Sequence, residues 1–240
     1  MTKIIPVLIF FSLFLSCNRQ KELLVLTDHS FPPFEYLKDG QPVGIDPDIA
    51  RIIGEKLGRK VKIISVGFSS IIPSIERKLG DMGIAAITIT EQREKHVDFS
   101  KPYAKSEQVI ISLNKFPITS KDEIKNIRIG LKQGTTGQAL VKQMELKETM
   151  LFTYPTTQHA LKALLNEEID AIVIDRHIAD WAIQQYNQLQ FHLLKDSAEY
   201  YAICVQKGNT KLLNEINAIL DEMLANGEIE ELVKKHSTVF

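Results

Sequence analysis

Short apolar runs recur along this chain, and between them the apolar positions fall three or four residues apart. The first pattern belongs to buried strands and the second to amphipathic helices. Leu23–Thr27 (LLVLT) reads as a strand. Asp46, Pro47 and Asp48 then open a helix through Ala50, Ile53 and Leu57, which Gly58 stops. Residues 61–66 (VKIISV) alternate like a second strand, and Ser69 or Ser70 caps a helix with Ile72, Ile75 and Leu79 on one face. Residues 82–87 (MGIAAI) make a third strand. The rhythm restarts at 127–132 (IRIGLK), where a glycine turn at 134–137 leads into a helix through Ala139, Leu140 and Met144. A strand at 151–154 is followed by a helix that Thr156 or Thr157 caps, with Ala160, Leu164 and Leu165 on it. Residues 169–174 (IDAIVI) form a strand and 177–186 a helix. Between the two runs lies an extended stretch at 103–112 with no helix signal. Residues 200–205 are strand-like, and helices over 211–224 and 228–236 close the chain. The alternation argues for mainly parallel α/β sheets, and its restart for two lobes.

The leader adds a location. Lys3 precedes an apolar run at 4–15, then Ser16 and Cys17, then polar Asn18, Arg19 and Gln20. Such a run suits a secretory signal and is too short to span a bilayer as a helix. A small residue directly before Cys resembles a lipoprotein signal, which implies cleavage before Cys17 and its lipidation. Phe14 departs from that pattern, since an aliphatic residue is usual there. The alternative is a buried N-terminal element with a stray cysteine. With Cys17 acylated, Cys204 in the apolar run YYAICVQK is a buried, inert thiol; a Cys17–Cys204 disulfide is the competing arrangement.

Of 240 residues, 44% are hydrophobic, enough for one core or two small ones, and the net charge of −1 gives no field for a polyanion. Nucleic acid is therefore not expected as a partner. The scattered histidines show no metal-ligand spacing, and no nucleophile elbow, phosphate loop or zinc-protease motif is present. Neither metal nor cofactor is expected, and no catalytic residue.

Four strand ends gather polar residues, where open α/β sheets bind ligands. Asp28 to Glu35 (DHSFPPFE) offers carboxylates, two aromatics and a rigid Pro-Pro turn; an ordinary loop exit would look the same. Residues 85–93 (AAITITEQR) offer small residues, the Thr88 hydroxyl and Arg93, whose guanidinium matches a two-pronged carboxylate. A surface salt bridge from Arg93 to Glu91 or Glu94 is the bland alternative. Residues 132–137 (KQGTTG) present backbone N–H groups and hydroxyls at a helix start. Asp175 could hold an ammonium, or simply cap the following helix.

Together these segments resemble the bacterial extracellular solute-binding proteins of family 3, which serve polar amino-acid ABC transporters. The resemblance runs from Leu23 to His236 through DxxFPPFE, VGIDPDIA, ITITEQR, DFSKPY, GTT and IDAIVID. It implies a two-lobe, type II periplasmic-binding-protein-like fold. Residues 1–16 would be signal peptide, 17–22 a lipidated tether, 23–103 plus 205–240 lobe 1, and 108–198 lobe 2, with hinges at 103–108 and 199–204. It implies that Arg93 clamps a ligand α-carboxylate with Thr88 and the N–H groups near Thr136. Asp175, the Ala86 carbonyl and Thr88 would take the α-ammonium. Phe31 and Phe68 would sandwich the side chain, Asp28 and Lys132 would read its far end, and Glu35 would also belong to the ligand site.

The expected partners are a free amino acid, a permease and a membrane reached through the lipid, with the chain monomeric and extracytoplasmic. Ala85 and Ala86 stand where many relatives carry Ser or Gly. Lys132 repels a cationic side chain unless Asp28 or Glu35 offsets it, which points to glutamine or another neutral polar amino acid. Arginine or lysine is the alternative ligand. A cyclohexadienyl-dehydratase-like enzyme using Glu35 or Asp28, or a receptor's sensing domain, are competing functions on the same fold.

Overall fold

The apolar runs become the strands of two five-stranded sheets. The computed structural model describes residues 22–144, 146 and 148–237, so the leader and Cys17 lie outside the described residues. In chain order the elements are β1 (Leu23–Thr27), β2 (Ser30–Phe31), β3 (Glu35–Lys38), β4 (Gln41–Val43), α1 (Ile45–Lys56), β5 (Val61–Ser65) and α2 (Phe68–Glu76). Then follow β6 (Met82–Gly83), α3 (Glu91–Glu94), β7 (Val97–Phe99) and β8 (Ala104–Leu113). After a 3-10 turn at Lys121–Ile124 come β9 (Arg128–Lys132), α4 (Thr136–Gln143), β10 (Met150–Tyr154), α5 (Thr157–Leu165), β11 (Ala171–Asp175) and α6 (Arg176–Gln185). The chain ends with β12 (Leu189–Tyr201), β13 (Cys204–Gln206), α7 (Thr210–Ala225) and α8 (Glu228–Ser237).

One sheet has the order β5-β1-β6-β13-β7 and the other β10-β9-β11-β8-β12. β1 is parallel to β5 and β6, and β9 to β10 and β11. β13 runs against both its neighbours, and so does β8. Each sheet is therefore parallel apart from one reversed strand. The two passages between the sheets are β8 and the end of β12. They pair with each other from Ala104 opposite Tyr201 to Glu107 opposite Ala198, and an irregularity between Leu193 and Ala198 separates this stretch from the rest of the ladder.

Several expectations need correcting. α2 starts at Phe68 with Gly67 as its cap and no side-chain capping bond, so neither serine plays that part. Ile71 and Ile75 are its buried positions. The helix stops at Glu76 and Lys78 turns left-handed, which throws Leu79 outward to 60% exposure. The third strand ends at Gly83 rather than running to residue 87, because Ala86 takes a φ of 46°. The strand expected over 200–205 is two strands, broken where Ala202 and Ile203 step from one sheet to the other. The ribbon β2-β3-β4, the short β7 and the length of β12 were not foreseen.

One buried apolar cluster runs through both halves and includes Phe34, Tyr103 and Tyr201. Phe34 meets Tyr201 edge-on at 5.1 Å and His177 of α6 at 5.2 Å, a favourable arrangement of ring quadrupoles.

Candidate functional site

The carboxyl ends of β1, β9 and β11 face one another across a cleft between the sheets. A space of about 250 Å³ there is lined by Phe31, Phe68, Ala85, Ala86, Thr88, Arg93, Lys132, Thr135, Thr136 and Asp175. Of the residues singled out from sequence, only Asp28 and Glu35 do not line it. That space includes open solvent at the rim; the interior left free by these side chains is about 10 Å³, room for roughly one water molecule.

Asp28 sits just behind the lining. Its Oδ2 meets Lys132 Nζ at 2.5 Å, with both side chains buried. Ser30 Oγ and the His29 N–H also donate to it, each at 2.7 Å. Lys132 Nζ lies 5.0 Å from the Phe31 ring centre and 5.1 Å from that of Phe68. The ammonium is thus held by one carboxylate and two aromatic faces, which suits a buried cation.

Arg93 turns inward instead of pairing with Glu91 or Glu94. It donates to the Thr88 carbonyl at 2.6 Å and to the Gly134 carbonyl, on the opposite half, at 3.0 Å. Its carbon Cζ lies 5.4 Å from the Phe68 ring centre. Thr90 caps its short helix by accepting from the Arg93 N–H. Burial lowers the guanidinium from its usual value, and the charges of Glu199 and Asp175 work against that drop.

Asp175 occupies the cap position of α6 but makes no capping bond. Instead it accepts a hydrogen bond from the Tyr201 hydroxyl. Burial, and then the charge of Glu199, push its carboxyl up to about 7. The Thr88 hydroxyl donates to Glu199 Oε2 at 2.8 Å. On the other rim, Thr135 caps α4 by accepting from the Gln138 N–H, and Gln108 Nε2 reaches Thr136 Oγ1 at 3.4 Å.

Glu35 lies elsewhere. At the start of β3 its carboxyl points into the core, 1% exposed, beside Asp46. Asp46 accepts from the Ala86 N–H at 2.7 Å and from the Tyr103 hydroxyl at 2.8 Å. Burial lifts Asp46 to about 7 and, with the Asp46 charge, raises Glu35 well above its ordinary value. Two neighbouring buried carboxyls do not both ionise readily, which is why both are raised. Asp46 thereby fixes the left-handed Ala86 at the cavity wall.

Sequence reasoning missed Glu199 and Tyr201, which were read only as part of a connection. The signal available was their spacing of two, which puts both side chains on one face of a strand. Cys204 is a free, buried thiol whose pKa burial pushes up to about 12. No helix among the described residues is long and apolar enough to cross a membrane.

The family model for bacterial extracellular solute-binding proteins, family 3, matches residues 23–239. A probable histidine-binding protein of Campylobacter jejuni is 28% identical over 222 residues, covering 91% of this chain and 86% of that protein. Among solved structures, an ancestral arginine-binding protein bound to arginine superposes with a TM-score of 0.85 at 33% identity, covering 90% of this chain and 97% of the other. An ancestral arginine-binding protein bound to glutamine gives a TM-score of 0.85 at 34% identity, with the same coverage. The architecture is the two-lobe, type II periplasmic-binding-protein fold.

Proposed function

The chain belongs to the bacterial extracellular solute-binding proteins of family 3, and from that premise we propose that it captures a free amino acid for an ABC importer. The observation that carries this reading is a guanidinium on α3 and a carboxyl at the end of β11 lining one cavity from opposite halves. Arg93 takes the ligand's α-carboxylate, joined by the N–H groups at the start of α4. Asp175 takes the α-ammonium. Binding is stoichiometric and no bond in the ligand is broken. Residues 23–103 with 205–240 act as one lobe and 108–198 as the other, hinged at 103–108 and 199–204. A ligand touching both lobes favours the closed form by its extra contacts there. The closed form is what the permease reads, with the monomer tethered outside the cytoplasm by lipid on Cys17.

Lys132 decides the ligand's side chain. Its ammonium already stands between Phe31 and Phe68, so a cationic side chain would meet a like charge in a closed site. A neutral polar side chain fits better, because its carbonyl oxygen accepts from Lys132, while Asp28 behind the lining holds that ammonium in place. Glutamine is therefore the ligand of choice. A second reading, arginine or lysine, is favoured by the relatives, several of which are named for arginine.

Arg93→Ala is expected to abolish amino-acid binding in titration calorimetry with the circular dichroism spectrum unchanged. Retained affinity would refute the carboxylate assignment. A thermal-shift panel of amino acids separates the side-chain readings: glutamine should raise Tm most, and a larger shift with arginine would replace the first reading by the second.

A further inference from the structure

We propose that Glu199 is a positioning residue that sets the charge and hydrogen-bond polarity at the ammonium end of the cavity, so that capturing an α-ammonium there expels a proton from the Asp175–Glu199 pair. This rests on the reading above that Asp175 receives the ammonium.

Glu199 does not line the cavity; it acts through two residues that do. By accepting the Thr88 hydroxyl proton, Glu199 fixes the direction of that hydroxyl. A hydroxyl has one proton and two lone pairs, so Thr88 is left as an acceptor toward the cavity, suited to N–H and not to a carboxylate. Through its own carboxyl, Glu199 also sets a negative charge beside Asp175. Two adjacent carboxyls, one of them buried, do not both ionise readily near neutral pH. The groups facing the pair leave that balance intact. Tyr201 donates to Asp175, and burial with the Asp175 charge holds its hydroxyl well above its usual range. Arg93 senses both carboxyls but is committed to the Thr88 and Gly134 carbonyls. Lys132 is held by Asp28. Among the neighbours in sequence, Arg176 pairs with Glu107 and Asp180, and His177 bonds the Lys105 carbonyl.

The step balances simply. Below about pH 7, where Asp175 holds its proton, the pair carries one proton and one negative charge before binding. The incoming ammonium supplies the compensating charge, both carboxyls become carboxylates, and the released proton goes to solvent. With Asp175 titrating at about 7, the apparent affinity should fall as pH drops below that value, by roughly tenfold per unit once well below it.

The test is titration calorimetry with the tighter binder of L-glutamine and L-arginine, at pH 7, in phosphate and in Tris. Their different ionisation enthalpies report protons released. Wild type should release a substantial fraction of one proton and bind roughly tenfold more weakly at pH 6 than at pH 8. Glu199→Gln keeps an acceptor for Thr88 but removes the charge, so release should shrink and the pH dependence flatten, while Glu199→Asp should retain both. In parallel, a carbon-13 NMR titration of the Asp175 carboxyl, with no amino acid present, should show a lower pKa in Glu199→Gln. No proton release by wild type, or an unchanged Asp175 titration in Glu199→Gln, overturns the inference. Failure of the underlying reading looks different: Asp175→Asn would then bind as tightly as wild type.

Discussion

Lys132 and Asp28 form a buried ion pair beside the cavity, and such pairs are costly to break from one side. Lys132→Met should destabilise the protein by about 3 kcal/mol, because Asp28 is left charged in the interior. Adding Asp28→Asn should recover most of that loss. Urea unfolding of both variants checks the pair, and equal loss in the single and double variants would show that packing, not charge, matters there. At this scale the sequence indicated which residues would line one cavity wherever they stood at a strand's carboxyl end, as Phe31, Lys132 and Asp175 do. It misled for Glu35, which follows the Pro-Pro turn closely enough to suggest the same cavity. Its place at the start of β3 puts that side chain in the core beside Asp46 instead. Glu199 was illegible because its meaning depends on which residues lie across from its strand, and register is a long-range property.

Among the elements, α2 begins without a side-chain cap. Gly67 has extended backbone angles and open space where a Cβ would stand. Gly67→Ser should therefore stabilise the fold by about 0.5–1 kcal/mol, through a capping bond and a stiffer unfolded chain. Thermal denaturation reads the gain, and no rise in Tm would show that the first turn is already satisfied. The helices that close the chain, and the strands β1, β5, β9, β10 and β11, follow from period alone. What escaped was structure made by partners. β6 has two residues, held by β1 and β13. Much of β12 is polar (KDSAEYY), and its ladder with β8 supplies the order that its own pattern does not. The ribbon β2-β3-β4 is too short to show alternation.

Across the whole molecule, buried carboxyls set the response to pH. Asp46 and Asp175 are each raised to about 7, and Glu35 is raised well above its ordinary value. A raised carboxyl holds its proton more tightly when folded, so its contribution to stability is largest in acid and is lost as pH climbs from about 4 toward 7. Asp48 behaves oppositely. Burial opposes its charge, but hydrogen bonds from His236 and Lys235 outweigh that and hold it well below the usual range. Its contribution is present above the ordinary carboxyl pKa and disappears on strong acidification. Glu35→Gln should accordingly raise Tm relative to wild type at pH 8 and do so much less at pH 5; an equal effect at both would deny the raised Glu35 carboxyl. The two passages between the sheets are mated edge to edge, Ala104 through Glu107 against Ala198 through Tyr201. Two strips fastened along their length flex like a leaf spring: easily in one direction, stiffly against sliding or yaw. Were the halves to move as proposed, such a joint would leave them one route of travel, and a receiving protein would need to distinguish only the two ends of a single stroke.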